Sequence, residues 1–177
     1  MRSLRIEQNI MNIININLPF TEEIVRTLKK GDKLLLSGKL ITARDAAHKR
    51  MIEALNRGEK LPFDIRAYPL YYCGPTPAKE GYPIGSCGPT TSSRMDSYVA
   101  QLFSSGLRYM IGKGKRNAEV IDQIKQHNGL YLIAIGGAGA LYAKCVEECK
   151  CIAYEDLGSE AIYELRVKKF PVYVWII

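Results

Sequence analysis

The segment Cys87-Gly88-Pro89-Thr90-Thr91-Ser92-Ser93-Arg94-Met95-Asp96 gathers the residue types that hold an anion. A Gly-Pro turn delivers four consecutive hydroxyl residues and then an arginine. Met95, Val99, Leu102 and Phe103 follow at helical spacing, so the turn is expected to open directly into a helix. On that reading backbone N–H groups, Thr and Ser hydroxyls and Arg94 converge where a helix dipole favours negative charge. Thr90 and Arg94, four residues apart, would share one side of that helix.

Two further cations point to the same chemistry. Lys113 leaves an apolar run between Gly112 and Gly114, where backbone can approach a ligand closely. Arg44 stands at the start of a helical pattern. At about 100° per residue it shares a face with Ala47, His48, Met51 and Leu55. A charge on a buried stripe needs a partner or a ligand; an internal salt bridge, or a guanidinium snorkelling to solvent, would serve as well. Three cations and a hydroxyl around one pocket suit a dicarboxylate, because arginine grips a carboxylate bidentately and lysine adds a mobile point charge.

Other chemistries fit less well. Gly112-Lys113 follows Gly106 with one residue too many for a P-loop, and Gly114 stands where Ser or Thr is required. Gly137-x-Gly139 has Tyr142 where a dinucleotide fingerprint needs its third small residue. Cys145, Cys149 and Cys151 tempt a metal reading, but no second ligand pair or nearby His completes a tetrahedral site. His127, beside Asn128-Gly129, reads as a residue closing a helix.

These residues need a scaffold. The 177 residues, 47% apolar and 24% charged, suit one globular domain. We read residues 1–11 as a polar leader and 12–177 as the domain. The net charge of +7 comes from scattered basic residues without aromatic interleaving, which argues against a nucleic-acid platform. No run reaches the roughly 20 apolar residues of a membrane helix. The first residues lack the apolar core of a secretory signal, and an odd set of five cysteines fits free thiols in the cytoplasm.

Strands are expected over 12–18, 33–41, 67–73, 107–111 and 130–135, with tail pieces over 151–154, 162–167 and 172–177. Helices are expected over 21–28, from Thr42 to about Asn56 with Thr42 and Asp45 as a capping pair, after Asn117, and after Gly136. The alternation indicates an α/β domain with a largely parallel sheet. Strand ends after Cys73, Ile111 and Ile135 run into glycine-rich turns, and ligands of open α/β sheets gather at such edges. The long Pro/Gly loop over 74–89 is of the kind that carries function.

Taken in order, several motifs are similar to those of one family. They are Arg44-Asp45-x-Ala47-His48-Lys49-Arg50, Cys73-Gly74-Pro75-Thr76-Pro77, Gly88-Pro89-Thr90-Thr91-Ser92-x-Arg94-Met95-Asp96 and Ile111-Gly112-Lys113-Gly114. Gly136-Gly137-Ala138-Gly139-Ala140, Leu157-Gly158-x-Glu160-Ala161-Ile162 and Phe170-Pro171 complete the set. Together they resemble the β subunit, or C-terminal domain, of class I iron–sulfur fumarate hydratases, a family that includes L(+)-tartrate dehydratase β subunits. The resemblance runs from about Lys33 to Pro171.

It implies a three-layer β/β/α swivelling domain and half of a hydro-lyase, active only with an α subunit that carries a [4Fe–4S] cluster through three cysteines of its own. It implies reversible hydration of a dicarboxylate, as between fumarate and (S)-malate, in a hetero-oligomer with two copies of each chain. Arg44 and Arg94 would bind substrate carboxylates. Thr90 would sit at the proton-transfer position, with Lys113 as the catalytic cation beside it; His48 and Thr91 would support them from behind. The cluster's open iron would act as a Lewis acid on the leaving hydroxyl. Cys145, Cys149 and Cys151 match no ligand of that cluster. A tartrate dehydratase subunit and a non-catalytic anion-binding or assembly module are the competing readings.

Overall fold

The computed structural model describes residues 13–177; the polar leader over 1–11 lies outside the described residues. The chain runs β1 (Ile13–Asn17), α1 (Glu22–Thr27), β2 (Lys33–Thr42), α2 (Asp45–Asn56), β3 (Leu70–Tyr71), a 3-10 turn (Ser92–Met95), α3 (Asp96–Ser104) and β4 (Tyr109–Gly112). It continues through α4 (Ala118–Gln126), β5 (Leu130–Ile133), α5 (Gly139–Ala143), β6 (Val146–Ala153), a second 3-10 turn (Glu155–Glu160) and β7 (Ile162–Ile176). The architecture is mixed α/β around a seven-stranded sheet. None of the described helices is long and apolar enough to cross a membrane.

Strands β1 to β5 pair in parallel, in order. Strand β7 runs antiparallel to β2, β5 and β6. The ladder between β2 and β7 extends from Lys33 opposite Tyr173 to Thr42 opposite Tyr163. Each of these long strands changes its outer neighbour midway. Strand β2 pairs with β1 up to Ser37 and with β3 from Ile41. At the changeover Gly38 has φ 127 and lies so close to Leu18 that an added Cβ would meet Leu18 Cβ at 2.9 Å.

Strand β7 pairs with β6 up to Val167 and with β5 from Tyr173. Pro171 falls between those partners, where the N–H it lacks has no second ladder to serve. The two tail pieces expected over 162–167 and 172–177 are therefore one strand, with its irregularity at Lys169 (φ 52).

Side chains alternate across β3, β4 and β5 into two cores. Tyr71, Ile111, Leu130 and Leu132 join a cluster with β1, α1, β2 and β7. Leu70, Tyr72, Met110 and Tyr131 join a second cluster beneath α2, α3 and α4. Both faces of the parallel strands are thus covered, which is why they read as continuous apolar runs.

The caps of α1 and α4 follow the expectation. Thr21 accepts from Ile24 N–H at 3.2 Å, and Asn117 from Val120 N–H at 2.8 Å. The cap of α2 does not. Thr42 is the last residue of β2, and its hydroxyl accepts from Tyr163 N–H at 3.2 Å. The N-cap residue is Arg44, extended and without a side-chain cap of its own. Glu160, 114 residues away, takes the Ala46 N–H at 2.7 Å instead. Local spacing cannot reveal a cap supplied through tertiary structure.

Helix α2 buries Ala47, His48, Met51 and Ala54 and exposes Lys49. Met51→Ala should therefore lower unfolding free energy by about 2–5 kcal/mol, and Lys49→Ala by no more than about 0.5 kcal/mol, measured by urea denaturation. Equal effects would contradict this helix phase.

Candidate functional site

Because β2 to β5 are parallel, their C-terminal ends share one edge of the sheet. Arg44 follows β2, Gly74 follows β3, Lys113 follows β4 directly, and Gly136 follows β5. The Gly88–Asp96 motif is built into this edge. Tyr72 N–H still donates to Ile111 O at 2.8 Å, after which β3 and β4 part and residues 90–92 enter between them. Thr90 N–H donates to Tyr72 O at 2.6 Å on one side. On the other, Lys113 N–H donates to Thr90 O at 3.3 Å and Ser92 N–H to Lys113 O at 2.9 Å. Thr91 and Lys113 form the corresponding parallel bridge.

This corrects the helix-start reading. Thr90 lies in an extended wedge and not on a helix, so it does not share a helical side with Arg94. The N–H groups of Thr90, Ser92 and Arg94 are spent on backbone carbonyls and are not offered to an anion. What the wedge does is fix Thr90 by both backbone groups, directly beside Lys113. The Tyr131 hydroxyl secures its far side, donating to Gly114 O at 2.8 Å and lying 2.8 Å from Ser92 Oγ, which can donate in return.

The arginines are brought together by carboxylates. Arg94 donates Nε–H to Asp45 Oδ1 at 2.9 Å and Nη2–H to Asp45 Oδ2 at 2.7 Å. Arg44 Nε reaches the same carboxylate at 3.3 Å, and Arg44 Nη2 lies 3.2 Å from Glu160 Oε1. Arg44 packs flat on Gly74, where an added Cβ would meet Arg44 Cδ at 2.6 Å. The internal salt bridge is thus the state of Arg44 within this chain. Lys113 forms no ion pair within 4 Å among the described residues. Its aliphatic stem passes Gly136, where a Cβ would stand 3.4 Å from Lys113 Cδ. Arg94 is half exposed and Thr91 exposed, so the edge is open to solvent. A cavity of about 470 Å³ lined by Glu22, Val25, Tyr109 and Gly129 lies at the opposite ends of the strands and contains none of the expected site residues.

His48 is fully buried beneath Arg44. Its Nδ1–H donates to the Arg44 carbonyl at 3.0 Å, and Nε2 has no hydrogen-bond partner. The ring meets Tyr72 edge-on, with centroids 5.2 Å apart. Burial in this apolar setting lowers its pKa from 6.5 to about 4, so the imidazole is neutral near pH 7. His48 therefore holds Arg44 through the backbone and brings no charge.

Three residues given no place in the expected site lie around it. Asp45 and Glu160 lie inside motifs quoted above, but only the fold brings them to the arginines. Arg116 is buried; it donates to Asp96 Oδ1 at 2.6 Å and to the Tyr72 hydroxyl at 3.2 Å, with its guanidinium over Tyr131 at 5.2 Å. An Arg-Asn pair after a glycine turn carries no sequence signal for such a role. Among the described residues no group of three or more His, Cys, Asp or Glu could hold a metal ion. Cys149 is pushed up to about 11 and Cys145 is also raised, both chiefly by burial, which disfavours thiolate.

The sign of the His48 shift makes a prediction. The unfolded chain binds this proton near pH 6.5 and the folded chain only near 4. The stability contributed by neutral His48 is therefore complete above 6.5 and is lost as pH falls toward 4, on the order of 3 kcal/mol. Urea denaturation across that range should show His48→Gln losing less stability than wild type. Parallel profiles would contradict the assignment.

A family model described as Fumarase C-terminus matches residues 3–177. The chain is 42% identical to an aerobic class I fumarate hydratase of Salmonella typhimurium over 168 residues, which are 92% of this chain and 29% of the relative. It is 43% identical to fumarate hydratase 2 of Leishmania major over 146 residues, 81% of this chain and 26% of the relative. It thus spans less than a third of the length of these enzymes. A putative L(+)-tartrate dehydratase subunit beta of Methanocaldococcus jannaschii is 37% identical over 155 residues, 85% of this chain and 80% of that subunit. With a match over nearly its whole length, the chain belongs to the fumarase C-terminus family.

Proposed function

We propose that this chain is the carboxylate-binding half of a hydro-lyase that interconverts fumarate and (S)-malate. The observation that carries the proposal is the placement of Arg44 and Arg94, joined through Asp45, on the same sheet edge as the fixed Thr90 and as Lys113, which forms no ion pair among the described residues. The reading also takes residues 12–177 as one three-layer β/β/α swivelling domain, in keeping with the two cores on opposite faces of the parallel strands.

A dianion at this edge would meet three cations. Arginine and lysine hold its carboxylates, and their charge is set in place before reaction, so no solvent reorganisation is needed as negative charge grows. Removing the proton beside a carboxylate builds that charge into an aci-carboxylate-like species, where Lys113 and the arginines contribute most. Thr90 is the residue positioned for that proton, its backbone held by Tyr72 and Lys113. A threonine hydroxyl is a poor base unaided. Among the described residues no carboxylate or imidazole hydrogen-bonds it, so its activating group would come from a second chain.

That chain would be an α subunit, in an assembly with two copies of each, operating in the cytoplasm. Its [4Fe–4S] cluster would supply Lewis acidity toward the departing hydroxyl. The described residues of this chain do not fit such a cluster, since none of them gather as a ligand set. The relationship to a tartrate dehydratase β subunit favours L(+)-tartrate as the second substrate to try; it offers the same two carboxylates.

The chain alone should hydrate nothing. Assembled without oxygen with an iron–sulfur α subunit, it should convert fumarate to malate, or dehydrate tartrate. An intact, fully clustered complex inactive on all three diacids would overturn the enzyme reading and leave a binding or assembly module. In the active complex, Arg94→Ala and Thr90→Ala should each lower turnover by roughly 10²–10³ while assembly, followed by size-exclusion chromatography, is unchanged. Wild-type kinetics in both variants would remove these residues from the site.

A further inference from the structure

We infer that Asp45 is a positioning residue, an internal carboxylate that anchors Arg94 and Arg44 so that both can receive a diacid. The inference rests on the reading of these arginines as the carboxylate-binding pair and assigns a role to a residue that itself bears the wrong charge to touch the substrate. Arg44 precedes α2 and Arg94 lies in the 3-10 turn before α3, so nothing in the backbone compels two guanidinium groups of like charge to lie together. Asp45 compels it. At the first position of α2, its carboxylate bonds Arg94 through both oxygens and Arg44 through one.

The geometry distinguishes an anchor from a competitor. A guanidinium offers a side edge, Nε with one Nη, and an end edge, Nη1 with Nη2. Asp45 occupies the side edge of Arg94 and leaves both Nη1 hydrogens and one on Nη2 for a second carboxylate. Arg44 is held in the same manner by Asp45 at Nε and Glu160 at Nη2. Glu160 spends its other oxygen on the Ala46 N–H, which ties it to the start of α2. Asp45, itself partly buried, is thus fixed on a capped helix, and the half-exposed Arg94 is fixed to Asp45.

The anchor and simple electrostatics predict opposite signs. Removing a carboxylate from a diacid site leaves it more positive, so if Asp45 only competed with substrate, Asp45→Asn would lower KM. If Asp45 anchors the pair, the variant frees Arg94 and releases the Nε of Arg44, which Glu160 still holds at Nη2, and the ground state and the transition state lose their grip together. In the complex with the α subunit, Asp45→Asn should raise KM for the diacid roughly tenfold with kcat changed less than about threefold. In the full chain without its partner, Nε–H resonances of Arg44 and Arg94, seen by side-chain NMR, should be slow to exchange in wild type and lose that protection in Asp45→Asn.

Asp156→Asn is the control, since it breaks a comparable two-oxygen pair with Arg50 between the same helix and the second 3-10 turn. It should change neither reading. An unchanged or lowered KM in Asp45→Asn overturns the inference, as does an equal KM rise in Asp156→Asn. If the wild-type complex acts on no diacid, the proposed function fails on its own. The NMR comparison then still decides the anchor: retained protection overturns it and lost protection supports it.

Discussion

The register of β2 against β7 is the constraint on which the rest of the site depends. These strands face each other from Lys33 opposite Tyr173 to Thr42 opposite Tyr163. That pairing sets the end of β2 beside the start of β7, so that Arg44 and the start of α2 meet Glu160, just ahead of β7. A slip of one residue would turn Leu34, Leu36 and Leu40 away from their core and separate the arginine from its carboxylate. Core packing and site geometry are therefore specified by the same ladder. The exchange of neighbours at Gly38 and after Val167 lets that ladder serve both halves of the sheet.

Charge at the site is balanced in two ways. Arg44 and Arg94 share Asp45 and Glu160, and the four groups together are neutral. Lys113 stands apart, its N–H and C=O both held by the Thr90–Ser92 wedge and its stem lying along Gly136. A bound diacid would thus add its charge to arginines already held in place and to a lysine without a carboxylate partner among the described residues. Neutral His48 fits this balance, since a second buried cation between Arg44 and Arg116 would be costly. The open edge fits the proposal that a second protein would cover it, because water at a half-exposed Arg94 weakens each charge interaction until it is excluded.

Much of this was legible in the sequence wherever the determinants are local. Thr21 and Asn117 cap their helices as read, Met51 and His48 lie on the inner face of α2, and three glycine-rich turns follow parallel strand ends. The readings that failed concern contacts distant in sequence. Thr42 with Asp45 imitates a capping pair, but Thr42 ends a strand and Glu160 performs the capping. Four hydroxyl residues before a helix imitate an anion-binding helix start, but Thr90 to Ser92 complete the sheet between β3 and β4. Asp45 reads in the sequence as the N3 acid of that capping pair; only the approach of Arg94 shows its use as a partner for arginine. Family motifs mark the positions of Arg44, Thr90, Arg94 and Lys113, and the fold brings those positions to one sheet edge; the contacts that hold them there lie in the tertiary structure.

The central claim is that Arg44, Arg94, Lys113 and Thr90 form one carboxylate-binding surface facing a partner. A crystal structure of the complex with its α subunit, grown without oxygen in the presence of malate, tests it most directly. The account predicts one malate carboxylate on the end edge of Arg94, with Arg44 and Lys113 within hydrogen-bonding distance of the molecule and the Thr90 hydroxyl facing the carbon that exchanges its proton. Malate bound elsewhere, or an α subunit docked on a different face of this chain, would contradict it.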